Sequence, residues 1–321
     1  MGSLLGHVLP GLGFFLLGLW HLINNIKLYC LQPNNYASAP WFPTPKLRHL
    51  ELLFIILGSS ISVSFELFIG PSRHHPFDAD GTIPSYHLRN FEHSGISMFF
   101  IVYAAFAIHL DRVIPKSQAQ FGQNLTLLIA AVAFGQELFL FHVHSTDHRG
   151  IEGQYHLLFQ ILITISLVTT LMGIGLPRSF LVSFVRSVSI LFQGLWMILT
   201  GFMIWTPDFA PKGCTLFNDD GHKVVTCESP EALSRAKSLI NILFSSLVTL
   251  VTIFSVHFYL ALAKLYGQNM EHPYSSLPKE LGELQEEAID LVESPKKEDG
   301  LGDPKSVIHV GKGFVPLDLE R

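Results

Sequence analysis

Sixteen of the 321 residues are histidines, and the densest group reads His142-Val143-His144-Ser145-Thr146-Asp147-His148, followed by His156. His144 and His148 stand four apart, one helical turn, so both imidazoles can address a single centre. Glu152 and His156 repeat that spacing across a short turn. Neutral imidazoles suit Zn²⁺ or iron, and a carboxylate such as Glu92, Asp147 or Glu152 can fix the ring through its other nitrogen. His144, His148 and His156, joined by His93, are therefore the candidate metal ligands. A metal at a bilayer edge could activate water or support redox chemistry on a lipid. On a regular helix His142 points away from His144. Glu137 lies within about 20° of His144 on the wheel but about 10 Å deeper, which makes it a buried proton carrier or a hydrogen-bond anchor. The same residues read equally well as a polar network of His, Glu and Gln136 that pins helices together, each bond contributing about 0.6 kcal/mol. The cluster matches no metalloprotease signature, and no nucleophile elbow, phosphate loop or dinucleotide fingerprint stands in a fitting context.

The elements that must position these groups are membrane helices. Hydrophobic residues make up 49% of the chain and charged ones 15%, against about 25% charged in a soluble domain. Mean hydropathy is +0.37. A bilayer-crossing helix needs roughly 20 mainly apolar residues. Seven stretches qualify: 4–26, 47–69, 88–110, 125–143, 155–176, 180–205 and 239–266. Proline-rich breaks at Pro40–Pro45 and Pro71–Pro76 are turn chemistry. Gly175, Pro177 and Arg178 make a tight hairpin between the fifth and sixth spans. The first span lacks a basic leader segment and is longer than a signal-peptide core, so it reads as a retained helix. The expected fold is an all-α polytopic bundle over residues 1–268 with an acidic, mostly disordered tail over 269–321. The formal charge of −5 is split accordingly: the segment 271–321 carries 12 acidic and 6 basic residues, the rest 14 and 15. A chain this poor in basic surface is not a nucleic-acid binder.

Alternating seven spans up and down gathers the ionisable groups at one face. His7 opens the first span, Glu66 closes the second, and Glu92 and His93 open the third. The 142–148 cluster closes the fourth, and His156 opens the fifth; His74, His75 and His87 adjoin that face. His7, Glu66, Glu92, Glu137, His142, Asp147 and Glu152 form the expected polar cavity, because ionisable groups within spans are costly and face a bundle interior or a wet cavity. His21, His49, His109 and His257 approach the opposite face as interfacial side chains. Gly11, Gly13 and Gly18 in the first span, with Gly194 and Gly201 in the sixth, are expected close helix contacts.

Orientation rests on weaker signals. Counting Arg186 among the loop charges, basic residues divide eight against seven, which decides nothing by the positive-inside rule. Cys214 and Cys227 precede the last span at a spacing that permits a disulfide in an oxidising compartment. That favours a lumenal N-terminus and a cytoplasmic tail. In the tail, Tyr274 and Leu277 have the spacing of a tyrosine-based sorting signal for membrane adaptors. Asn124-Leu125-Thr126 fits a glycosylation acceptor, but it abuts a span on the cytoplasmic side.

Three motifs, in this order, resemble the transmembrane protein 45 family. They are Gly6-His7-Val8-Leu9-Pro10-Gly11 with Phe14–Trp20, Phe91-Glu92-His93-Ser94 with Met98-Phe99-Phe100, and Phe139–His148 with Ile151–His156. The resemblance covers roughly residues 2–266 and is nearest to a plant-like member. It implies a multipass protein of endomembranes (Golgi, endoplasmic reticulum, endosome) or the plasma membrane, linked to stress or antiviral responses and with no established catalysis. The matching motif residues are His7, Glu92, His93, His142, His144, His148 and His156. Three functions stay open: a non-enzymatic trafficking or stress-response protein, a metal-dependent enzyme acting on membrane lipid, and a proton or ion transporter using Glu66 and Glu137.

Overall fold

The computed structural model describes residues 4–69, 75–147, 150–219 and 222–267, with side chains excluded at Tyr86, 144–147, 218–219 and 222–224. The tail, with Tyr274 and Leu277, lies outside the described residues, as does His148. Helices α1 (Leu4–Leu31), α2 (Leu50–Ser64), α3 (Leu88–Val113), α4 (Ala119–Asp147), α5 (Ile151–Gly175), α6 (Phe180–Trp205) and α7 (Pro230–Tyr266) carry the seven apolar stretches. Each is long and apolar enough to cross a membrane, α2 together with the turn Phe65–Ile69 that continues it, and the chain is an integral multipass membrane protein. Strands β1 (Cys214–Asp219) and β2 (His222–Cys227) form an antiparallel hairpin between α6 and α7. Cys214 and Cys227 face each other in register and are disulfide-bonded.

Local chemistry sets the boundaries. Ser179 caps α6 by accepting from the Val182 N–H. Ser229 caps α7 in the same way, with Pro230 at the first helical position and Glu231 in the first turn. This cap starts α7 nine residues earlier than its apolar run suggests. Between α4 and α5, Gly150 takes φ +116°, a backbone state that side-chain-bearing residues rarely adopt. Near its end α2 widens into a π-helical turn, Phe65–Ile69, which carries Glu66.

Packing runs in a circuit: α2 on α3, α3 on α4, α4 on α5, α5 on α6, and α6 on α1. The α1–α6 seam is the most extensive, and glycines make it so. A Cβ at Gly18 would fall 2.2 Å from the Leu191 backbone nitrogen, and one at Gly194 would fall 2.2 Å from that of Phe15. Gly11 and Gly201 sit at the same seam, against Gly194 and His7 respectively. In lipid no hydrophobic effect drives helices together, so such close approach supplies dispersion contact that larger residues would block. Gly13 departs from the expectation: nothing lies within 4 Å of its would-be Cβ, because it faces a cleft and not α6. Hydroxyl and amide bonds add polar ties, among them Ser166–Ser189 at 2.7 Å and Asn25–Ser187 at 3.1 Å. The circuit closes poorly between α1 and α2, which touch far less than their neighbours do.

Candidate functional site

The bundle holds two polar regions at opposite ends. At the end where α1 finishes, the segment between α1 and α2 is held by buried charges. Glu51, 6% exposed, accepts from the Trp20 indole at 3.0 Å and from the Phe42 backbone N–H at 2.8 Å, while His21 Nε2 lies 2.7 Å from its other oxygen. Arg186, 3% exposed, donates to Ser38 and to the Ala39 carbonyl. Tyr103 donates to the Pro40 carbonyl, and Tyr36 donates to Asn25. Burial pushes the Tyr36 phenol above its ordinary pKa. His49 and Arg48 both engage Asp111, whose carboxylate raises the Arg48 pKa further.

Three expectations are corrected here. His21 is buried against a carboxylate and His49 is paired with one, so neither is a loose interfacial side chain. Arg186 belongs to the helix core and not to a loop, so it has no place in the count of loop charges. By contrast His109 and His257 are exposed, with His257 Nδ1 against the Ile253 carbonyl. The buried Thr126 hydroxyl donates back to the Gly122 carbonyl.

The other end gathers the residues singled out by topology. His93 Nδ1 lies 3.5 Å from Glu66, and Asn90 donates to the same Glu66 oxygen at 3.0 Å. His7 packs on Trp205, with ring centroids 4.4 Å apart, and lies parallel to His156 at 6.5 Å. His142 Nδ1 is 3.1 Å from Oε1 of the Gln160 side-chain amide. Glu92 and Glu152 are half-buried, and His87 is fully buried. Of the proposed metal ligands, His93 is engaged by Glu66 and His156 stacks with His7. His148 and the side chains of His144 and Asp147 are not among the described residues. Among the described residues no group of three His, Cys, Asp or Glu side chains could hold a metal ion.

Beside this cluster, at the weak α1–α2 closure, lies a cavity of about 370 Å³. Its walls come from α1 between Leu5 and Leu17, α2 between Phe54 and Phe65, α3 around Ile96, Ser97 and Phe100, and α4 at Glu137 and Phe141. From Leu5 to Leu17 it follows α1 for about 18 Å. The lining is overwhelmingly apolar; among the described residues Glu66 and Glu137 are its only ionisable members. Several lining residues, including Leu5, Leu9, Leu16 and Ile61, are more than half exposed, so the cavity sits at the surface that faces lipid.

Glu66 enters at one end on the π-helical turn, a distortion that often re-aims a side chain at a functional position. Pro10 lines the cavity from inside α1, where it has no N–H to donate to the Gly6 carbonyl. Glu137 is 1% exposed, and its Oε2 has no hydrogen-bond partner among the described residues. That oxygen makes no hydrogen bond to another helix among the described residues. Sequence reasoning placed both carboxyls in one cavity but expected a polar one, and did not foresee the apolar slot they share. It missed Gly58 too, which lines the cavity with nothing within 4 Å of its would-be Cβ.

The fold and this site define a multipass membrane protein, with seven apolar helices among the described residues and a cavity open at the bundle surface. Over residues 123–260, from α4 into α7, the chain matches a family of unknown function, DUF716.

Proposed function

We propose that this protein is a lipid-binding multipass protein of endomembranes, which takes an apolar chain sideways from the bilayer into the cleft between α1 and α2. The observation that carries this reading is the cavity itself: a long apolar slot at the one weak closure of the circuit, walled by side chains that already face lipid. Ligand sites in helix bundles are largely preformed, mainly apolar and furnished with few polar groups, which matches this lining. Binding, not catalysis, fits a site whose groups provide carboxyls and serines without an activated nucleophile. The resemblance of the first-, third- and fourth-span motifs to the transmembrane protein 45 family supports the endomembrane setting. Under this reading the acidic segment, with Tyr274 and Leu277, recruits sorting adaptors and sets the compartment.

The test is to purify the full chain in mild detergent and quantify co-purifying lipid by mass spectrometry. Wild type should retain about one apolar chain per protein. Gly58→Phe should lose it while keeping its melting temperature, because the new ring enters open space. Equal lipid in both proteins would refute the reading. A second reading, proton passage, is favoured by the two carboxyls sharing one cavity; it requires a flux in proteoliposomes that Glu137→Gln abolishes.

A further inference from the structure

The cavity carries information about the head of its ligand as well as the chain. Among the described residues every ionisable group lining it is a carboxyl, and no lysine or arginine lines it. Glu66 is already served by Asn90 and His93. Glu137 differs. It lies in the wall of the slot, 1% exposed, with Oε2 unpartnered among the described residues. Leaving a buried carboxyl oxygen without a donor costs free energy that a neutral or apolar residue of the same shape would avoid. Nearby polar groups do not relieve it: Ser97 donates to Ser62 across the α2–α3 contact. In its ionised form Glu137 therefore lacks a hydrogen-bond donor among the described residues, and a cationic donor would relieve it.

Resting on the lipid-binding reading above, we infer that the ligand is a single-chain amphiphile bearing a protonated amine, whose ammonium pairs with Glu137 while its chain fills the slot beside Gly13 and Gly58. Charge complementarity decides among head groups. A fatty-acid carboxylate or a phosphate would meet two carboxyls and no cation, whereas an ammonium donates to an acceptor that has nothing else to accept from. In a low-dielectric wall that pairing is worth more than in water, and the like-charge alternative is excluded for the same reason.

The experiment uses the full-length protein in nanodiscs and a photoactivatable, alkyne-tagged hexadecylamine. Untagged hexadecylamine, palmitic acid and hexadecanol serve as competitors. In wild type the amine should compete at least about tenfold better than the acid, a difference of about 1.4 kcal/mol. Glu137→Gln, which keeps shape and removes charge, should bring the two to parity. The wild-type ranking needs no variant, so it stands as a test even where the substitution disturbs folding. If the acid competes as well as the amine in wild type, or if Glu137→Gln keeps the preference, the inference is overturned. Equal competition by all three chains against labelling that Gly58→Phe blocks leaves the lipid-binding reading intact and refutes only the amine. Absence of any labelling refutes both.

Discussion

Glu51 and Glu137 are both buried carboxyls in a membrane helix, and the protein treats them in opposite ways. Around Glu51, at the end where α1 finishes, the Trp20 indole, the His21 ring and the Phe42 N–H converge on its two oxygens. Glu137 lines the cavity, and one of its oxygens is buried with no donor among the described residues. One carboxyl is consumed by the fold, where it clamps the segment between α1 and α2 against the bundle. The other contributes nothing of that kind. Chemical type and burial therefore do not tell a structural acid from one held ready for a ligand; partner saturation does.

The comparison is most exposed to failure at Glu51. Glu51→Ala removes the acceptor of the Trp20 indole and the Phe42 N–H and the partner of the His21 ring, and should cost about 3–5 kcal/mol, read as a large fall in the detergent melting temperature. A neutral outcome would remove the distinction between the two ends. Gly194→Ala forces a methyl onto the Phe15 backbone and should cost up to about 3 kcal/mol, measured by the same melt. Arg48→Ala, at an ion pair whose arginine is 62% exposed, should cost under about 1 kcal/mol. The smallest effect sharpens the comparison from the other side. Glu137→Leu should leave thermal stability unchanged or raise it, because it removes an unsatisfied buried group and breaks no bond.

Much of the architecture was legible in the sequence because a bilayer imposes a simple rule on length and polarity, so seven apolar runs became seven helices. The early start of α7 was also written there, in Ser229-Pro230-Glu231, but a search for apolar residues passes over a cap. The glycine seam was legible by residue type yet not residue by residue: Gly11, Gly18, Gly194 and Gly201 meet a neighbouring helix and Gly13 does not. Only packing separates them. Glu51 escaped notice because its partners come from α1 and from a loop, far off in sequence. The apolar slot between α1 and α2 escaped for a different reason. It arises from a contact that α1 and α2 fail to make, and an absent contact leaves no local pattern beyond two open glycines. His144 and His148, the most conspicuous pair in the sequence, lie outside what the structure describes in side-chain detail.

The central claim is that the bilayer reaches the carboxyl-lined cavity through the gap between α1 and α2. Photo-crosslinking wild-type protein with a chain-tagged lipid, followed by peptide mapping, tests it directly. The account predicts adducts concentrated between Leu5 and Leu17 and between Phe54 and Phe65, lost in Gly58→Phe. Adducts spread evenly over the lipid-facing side of α7 and unchanged by that substitution would contradict it.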